Sequence, residues 1–419
     1  MNTINLVRCV ACLSFLILTL DCHAQEWPRF RGPNGSGVSL ESNIPSQWEA
    51  EDYAWSVELE GKGSSSPVVW GDKVFVLSAS AKNSLALQCF NLETGKENWV
   101  RPLKSDAYPI HQQNSFASST PAVDEERVYL AFAGPKNITM VALDHDGTEV
   151  WQRDFGRWVS QHGFGGSPLV YKDLLIFCNS QQADRLAAGK EPGQSRMMAV
   201  NKLTGDEVWQ SDLTTTRVCY SVPAIYSVEG EPDQLINCNT GDGFYSLNPE
   251  SGETNWKKYP FKKRTVASTL LVNDMVYGSS GSGGGGNSLV AAKIGADGDK
   301  PEKAFEINRN ANYVPSPVAV GDLLFLFGDR GVVSCVDVNS GKEHWKERLG
   351  RGFSGSPVAT STHVYCIDQQ GVCHVVAAKA EFEKTASVNL GEPSRATPAI
   401  VGDRILLRTE SHLMALKGK

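Results

Sequence analysis

The chain has 419 residues, 41% of them hydrophobic and 21% charged, a balance that supports a large packed core and excludes a disordered polymer. Its 40 Lys and Arg stand against 47 Asp and Glu, giving a net charge of −7. The basic excess of a nucleic-acid binder is missing, so no nucleic-acid partner is expected.

Residues 1–24 read as an export signal. Arg8 supplies a positive end, 10–20 is an apolar run, and Cys22-His23-Ala24 offers a cleavage site before Gln25. The run is short for a membrane span, although an uncleaved N-terminal anchor is the alternative. No other stretch is apolar enough to cross a bilayer. The expectation is therefore an exported protein, periplasmic or cell-envelope associated, with no transmembrane span once the signal is removed.

Cys9, Cys12 and Cys22 leave with the signal, and seven of the ten Cys remain, an odd number that leaves at least one unpaired within the chain. Cys366 and Cys373, flanking the turn at 368–371, are one candidate bridge. No Cys/His spacing suggests a metal site.

Residues 25–50 hold too many Gly, Pro and Ser for a strand or helix. Trp27, Phe30 and Trp48 would be wasteful on a free tail, so the segment reads as an extended arm laid over the body of the protein. A disordered linker is the alternative.

Residues 51–419 form a repeat. In 316–348, Pro317 opens a short apolar run, Gly321-Asp322 turns it, 323–327 follows, Asp329-Arg330-Gly331 turns again, 332–338 alternates, and Asn339-Ser340-Gly341 leads to Trp345. Runs rich in Val, Leu and Phe between Gly, Asp and Asn predict four short antiparallel strands. Pro cannot donate to a ladder and belongs at the start of a strand. Similar openings fall at Pro67, Pro121, Pro168, Pro223, Pro357 and Pro398, with Leu270 standing where a Pro is missing. Four strands every 40–50 residues or so predict a β-propeller.

The last unit stops after about three strands, whereas 54–59 is a Trp strand with no unit in front of it. Pairing them would close the ring and abolish its open edge. The predicted fold is therefore all-β: an eight-bladed β-propeller closed by pairing the N-terminal strand with the C-terminal blade, with seven blades as the competing count.

The closing hairpins follow a pattern A-x-D-x-x-T-G-x-x-x-W, matched by Ala199, Asn201, Thr204, Gly205 and Trp209, with variants ending at Trp99, Trp256 and Trp345. This resembles the tryptophan-docking repeat of the pyrroloquinoline quinone (PQQ) propeller superfamily. The superfamily includes eight-bladed quinoprotein alcohol dehydrogenases and a cofactor-free propeller lipoprotein of the outer-membrane β-barrel assembly machine. WPRFRGPNGSGVS near the N-terminus and HQQNSFASSTP at 111–121 further resemble exported bacterial PQQ-like repeat proteins. The chain departs from the pattern at Asn91, Asn201 and Asn248 in place of Asp, at Phe305 in place of Trp, and at Val388, where Gly and Trp are both lost.

The resemblance to dehydrogenases implies long insertions that hold cofactor, metal and a catalytic Asp, and none is evident. The longest extra pieces, 179–196 and 278–288, read as an ordinary exposed loop and a Gly-rich connection between strands. The latter lacks the strand-to-helix setting of a phosphate loop. No nucleophile elbow or metal-ligand His spacing appears. No catalytic residue and no cofactor are expected, PQQ being the alternative.

One constellation stands out. The linker before each opening residue carries the chain from the outside of one blade to the channel side of the next, and basic or His residues recur there: Lys62, His162, Arg217, Arg264 and Arg351, with Arg309 and Arg395 nearby. His111, Asn114, Arg157, Tyr220 and Tyr313 would add polar contacts. The expected ligand site is thus Lys62, His111, Asn114, Arg157, His162, Arg217, Arg264, Arg309, Arg351 and Arg395. Arg forks suit carboxylates and phosphates. The expected function is a monomeric, non-catalytic binding or scaffolding module that takes an envelope protein segment or an anionic or sugar-like small molecule at the funnel face. A PQQ-binding oxidoreductase and a carbohydrate-active enzyme are the alternatives.

Overall fold

The computed structural model describes residues 26–40, 43–80, 84–186, 188–295 and 298–418. The expected signal at 1–24 lies outside them. Among the described residues the strands form eight antiparallel sheets, seven of four strands and one of five. They are the blades of a propeller, numbered here from the sheet that begins at Val68–Trp70. No described helix is long and apolar enough to cross a membrane.

Blade 8 is built from both ends of the chain. Ala399–Val401, Arg404–Arg408 and His412–Lys417 supply three strands, and Tyr53–Glu58 adds the outermost, with Trp55 opposite Ala415 and Val57 opposite Leu413. Both faces of a blade pack on neighbours, so the middle strands are apolar on both sides. Leu323–Phe327 and Arg404–Arg408 are almost wholly buried, whereas outer strands such as Glu343–Arg348 bury a single Trp. The core is accordingly divided into slabs between blades. The largest slab sits at the closure, where residues of blades 7, 8 and 1 meet Trp27, Ile44 and Trp48.

Each outer-strand Trp docks on the turn of the following blade. The indole N–H of Trp55 donates to Leu92 O at 2.9 Å, Trp99 to His145 O at 3.0 Å, Trp151 to Lys202 O at 2.9 Å and Trp209 to Pro249 O at 3.0 Å. The ring lies flat on the turn glycine: a Cβ at Gly95 or Gly252 would come within 2.6 or 2.5 Å of it. A register shift precedes each of these Trp residues and leaves one extra residue, such as Val208, pointing outward. Asn serves as well as Asp in the turn because only its side-chain oxygen is used, as Asn201 Oδ1 shows by accepting from Leu203 N and Thr204 N.

Two sequence expectations are corrected. In blade 5 the strand Leu270–Val272 begins one residue after the opening position, as in every other blade, so Thr269 and not Leu270 replaces the missing Pro. Freed of the Pro constraint, Thr269 donates its N–H to Ser221 Oγ at 3.1 Å. Cys366 and Cys373 do not form a bridge. Cys366 is registered with His374, and Cys373 with Ile367, so the two thiols point to opposite faces of blade 7.

The neck of the central channel is a ring of hydroxyls. Ser66 N donates to Thr120 Oγ1 and Thr120 N to Ser167 Oγ; beyond a gap, Val222 N donates to Ser268 Oγ, Ser268 N to Ser316 Oγ, Ser316 N to Ser356 Oγ, Ser356 N to Thr397 Oγ1, and Thr397 N back to Ser66 Oγ, at 2.8–3.3 Å. The gap is at Val222, which has no hydroxyl for Ser167.

The arm threads this channel. Glu26–Trp27 adds a fifth strand to the inner edge of blade 1. Pro28 O then accepts from Val123 N in blade 2, Arg29 donates to Pro223 O, Asn34 exchanges two hydrogen bonds with Ile225 in blade 4, Arg31 donates to Pro317 O in blade 6, and Val38 bridges Ala359 in blade 7. A segment that touches the inner edges of blades on opposite sides of a ring must cross its axis. The first part of the arm, 26–38, therefore crosses the channel, whereas Ile44 and Trp48 pack against the body of the protein at the closure.

Candidate functional site

With the arm across it, the channel is a cup. The cavity is about 640 Å³, and Phe30 of the arm forms part of its lining. Its walls come from the linkers that precede each blade and from the turns between second and third strands, because both lie on the same face of the ring.

The expected residues divide. His111, Asn114, His162, Arg217, Arg264 and Arg395 line the cup, as do Tyr220 and Tyr313. Lys62, Arg157, Arg309 and Arg351 do not. Lys62 turns to Glu410, its Nζ at 2.9 Å. Arg157 ends the outer strand of blade 2 and pairs with Glu191 at 3.0 Å. Arg309 and Arg351 are exposed just beyond outer strands. Equal spacing from the opening residue is not equal position, since linker lengths differ. The isolated bridges Lys62 to Ala79, Arg264 to Gly281 and Phe353 to Asp368 mark the equivalent places, so Arg351 lies two residues too early.

Arg185, Arg330, Gln182 and Asp329 also line the cup, and sequence reasoning passed over them as site residues. They lie between second and third strands, and the available signal was topological: such turns share the linkers' face. The 179–196 segment is thus part of the wall and more than an ordinary loop. Gly281 to Gly283 and Asn287 line it too. Lys263 Nζ takes Gly285 O at 2.8 Å and Gly286 O at 2.9 Å, so this Gly-rich turn directs carbonyls at a cation.

One wall is laced together. The His111 and His162 rings are 4.9 Å apart, Asn114 donates to His162 O at 2.7 Å, and Tyr220 donates to Gly163 O at 2.8 Å. Burial, then the Arg264 cation and His111, pull His162 down to about 4, so it is a neutral ring at ordinary pH. Arg264 is 9% exposed and its charge acts on Tyr313, while its Nε has no partner among the described residues. Asp329 is the one carboxylate lining the cup among the described residues. Burial raises its pKa, and the N–H groups of Tyr313 and Val314, at 2.8 and 3.0 Å, oppose that rise. Arg217 leans on Asp184 at 3.5 Å. The net effect is a cationic, hydrogen-bonding cup in an acidic protein.

Against known proteins, a family model described as outer membrane protein assembly factor BamB matches residues 49–285 and 302–419. The chain belongs to this family. The BamB of Burkholderia pseudomallei (strain K96243) is 24% identical over 364 residues, 85% of this chain and 84% of that protein. Among solved structures, BamB from Moraxella catarrhalis superposes with a TM-score of 0.62 at 14% identity, covering 88% of this chain and 97% of that one. A europium-containing methanol dehydrogenase superposes at 0.67 with 12% identity, covering 92% and 90%. At such identities the structural likeness establishes the propeller fold and nothing finer.

Three His, Cys, Asp or Glu side chains nowhere gather to hold a metal ion among the described residues. PQQ in the resembling dehydrogenases works beside a metal and a catalytic carboxylate. Here Asp329 is the one carboxylate facing the cavity among the described residues, and its oxygens accept from backbone N–H groups. The donor set does not fit that arrangement.

Proposed function

We propose that the protein is an exported, non-catalytic propeller that binds an envelope protein segment or an anionic small molecule in the cup. The observation that carries this reading is the cavity in the channel the arm crosses, walled by five Arg side chains and, among the described residues, one carboxylate. Membership of the BamB family, named for assembly at the outer membrane, supports an envelope location and a binding role. Capture from envelope extract tests it: the wild-type chain retains a partner or ligand that an Arg264→Gln/Arg395→Ala variant releases. Identical capture by both would overturn the reading.

A sequence likeness to methanol dehydrogenase [cytochrome c] subunit 1 of Methylorubrum extorquens, 25% identical over 284 residues, 57% of this chain and 45% of that one, favours a second reading, an oxidoreductase that binds PQQ. Incubation with PQQ and calcium, followed by quinone absorbance and dye reduction with alcohols, separates the two. Turnover above the protein-free rate would replace the binding reading with the enzymatic one.

A further inference from the structure

We infer that the cup receives the end of a carboxylate-bearing saccharide chain. This deepens the binding reading above and rests on it, and four observations lead to it.

The first is charge. Arg185, Arg264, Arg330 and Arg395 face the cavity in addition to the paired Arg217, and Asp329 is the one acid among them. Arg264 is held almost free of solvent with an Nε–H that finds no acceptor among the described residues. An unmet buried donor on a planar cation is costly, and a carboxylate answers the fork with two parallel hydrogen bonds.

The second is polarity spread over the whole wall. Gln113, Asn287, Ser354 and Gln369 bring amides and hydroxyls between the cations. A simple inorganic anion would use one corner of so large a cavity, whose volume lies within the range of about 300–1,000 Å³ usual for small organic ligands. Nor does the Gly-rich turn offer itself as a phosphate cradle, because at Gly285 and Gly286 it presents carbonyls to Lys263, groups that repel an anion.

The third is the aromatic surface. Phe30 belongs to the lining together with Tyr220 and Tyr313. Aromatic faces pack against the C–H face of a pyranose while its hydroxyls reach the amides around it.

The fourth is closure. The arm bars the channel from blade 1 across to blades 4, 6 and 7. An internal stretch of polymer would need two openings, whereas a chain end needs one.

Calorimetric titration of the full-length protein tests this with digalacturonate, a longer oligogalacturonate, the methyl ester of each, and inorganic phosphate. The expected result is one site per protein, equal affinity for the short and long acids, at least tenfold weaker binding of the esters, and poor competition by phosphate. Arg185→Ala, on an exposed part of the wall, is expected to weaken the acids about tenfold with an unchanged melting temperature. Equal binding of acid and ester, phosphate competing on a par with the acids, affinity that climbs with chain length, or no binding would each overturn the inference. Should no saccharide bind while the Arg264→Gln/Arg395→Ala variant still loses its captured partner, the inference fails and the binding reading stands. If that capture is also unaffected, both fail.

Discussion

The neck hydroxyls show what a single atom contributes. Each oxygen accepts the N–H of the blade before it, so a missing one leaves a buried donor unmet at a cost of about 1–3 kcal/mol. Ser316→Ala is expected to lower stability by that amount in a denaturant titration, and Val222→Thr, which offers Ser167 the absent acceptor, to raise it by up to about 1 kcal/mol. His162 gives a second test at this scale. Its folded pKa is lowered to about 4 from the ordinary 6.5, so its contribution to stability is full above 6.5 and declines as pH falls toward 4. An NMR titration should find that midpoint, and Arg264→Gln should move it upward by removing a neighbouring cation. The Ser/Thr-Pro pairs were legible as strand openings, but the hydroxyls' task was not. Their partners sit one blade away, a separation that propensity and periodicity do not encode.

Strands and hairpins carry the next level. The indole on the turn glycine is the joint between neighbouring blades, and Trp209→Ala should cost about 3–5 kcal/mol of unfolding free energy. Phe305 fills the same place against Gly341 without an N–H to donate, so Phe305→Trp is expected to stabilise the blade 5–6 joint by about 1 kcal/mol if the larger ring is accommodated, measured as a higher melting temperature. Blade number, strand order and the pairing of 54–59 with the last unit were legible because turn glycines and Trp recur in step with the sheets. Parity was harder. Residues 366 and 373 look like neighbours across a turn, yet the hairpin's register puts them on opposite faces, and Arg351 fell off the cup because linkers of unequal length defeat counting.

For the molecule as a whole, the arm decides whether the ring has one mouth or two. Arg29 and Arg31 lie buried within the channel with only backbone carbonyls as acceptors among the described residues, and burial pulls them down to about 10 and about 9, still charged at neutral pH. Gly32, at φ +66°, lets the chain turn between them, and a Cβ there would meet the Trp27 ring at 2.5 Å. Gly32→Val should therefore unseat the arm, seen as rapid proteolysis within 26–40 and a loss of about 1–3 kcal/mol. Unchanged protease resistance would show that the arm is held by other means. Nothing in the sequence told a strap across the outside from one through the middle, since either would bury the same aromatic residues.

The seam in blade 8 also sets a timetable. A polypeptide delivered amino end first would present 53–58 as an unmet edge for as long as 412–417 is still in transit, leaving an arc of finished blades with two sticky flanks. Emergence of that final segment would then be the event that turns an aggregation-prone intermediate into a sealed particle, and a stalled product lacking it should be the form that holding chaperones retain.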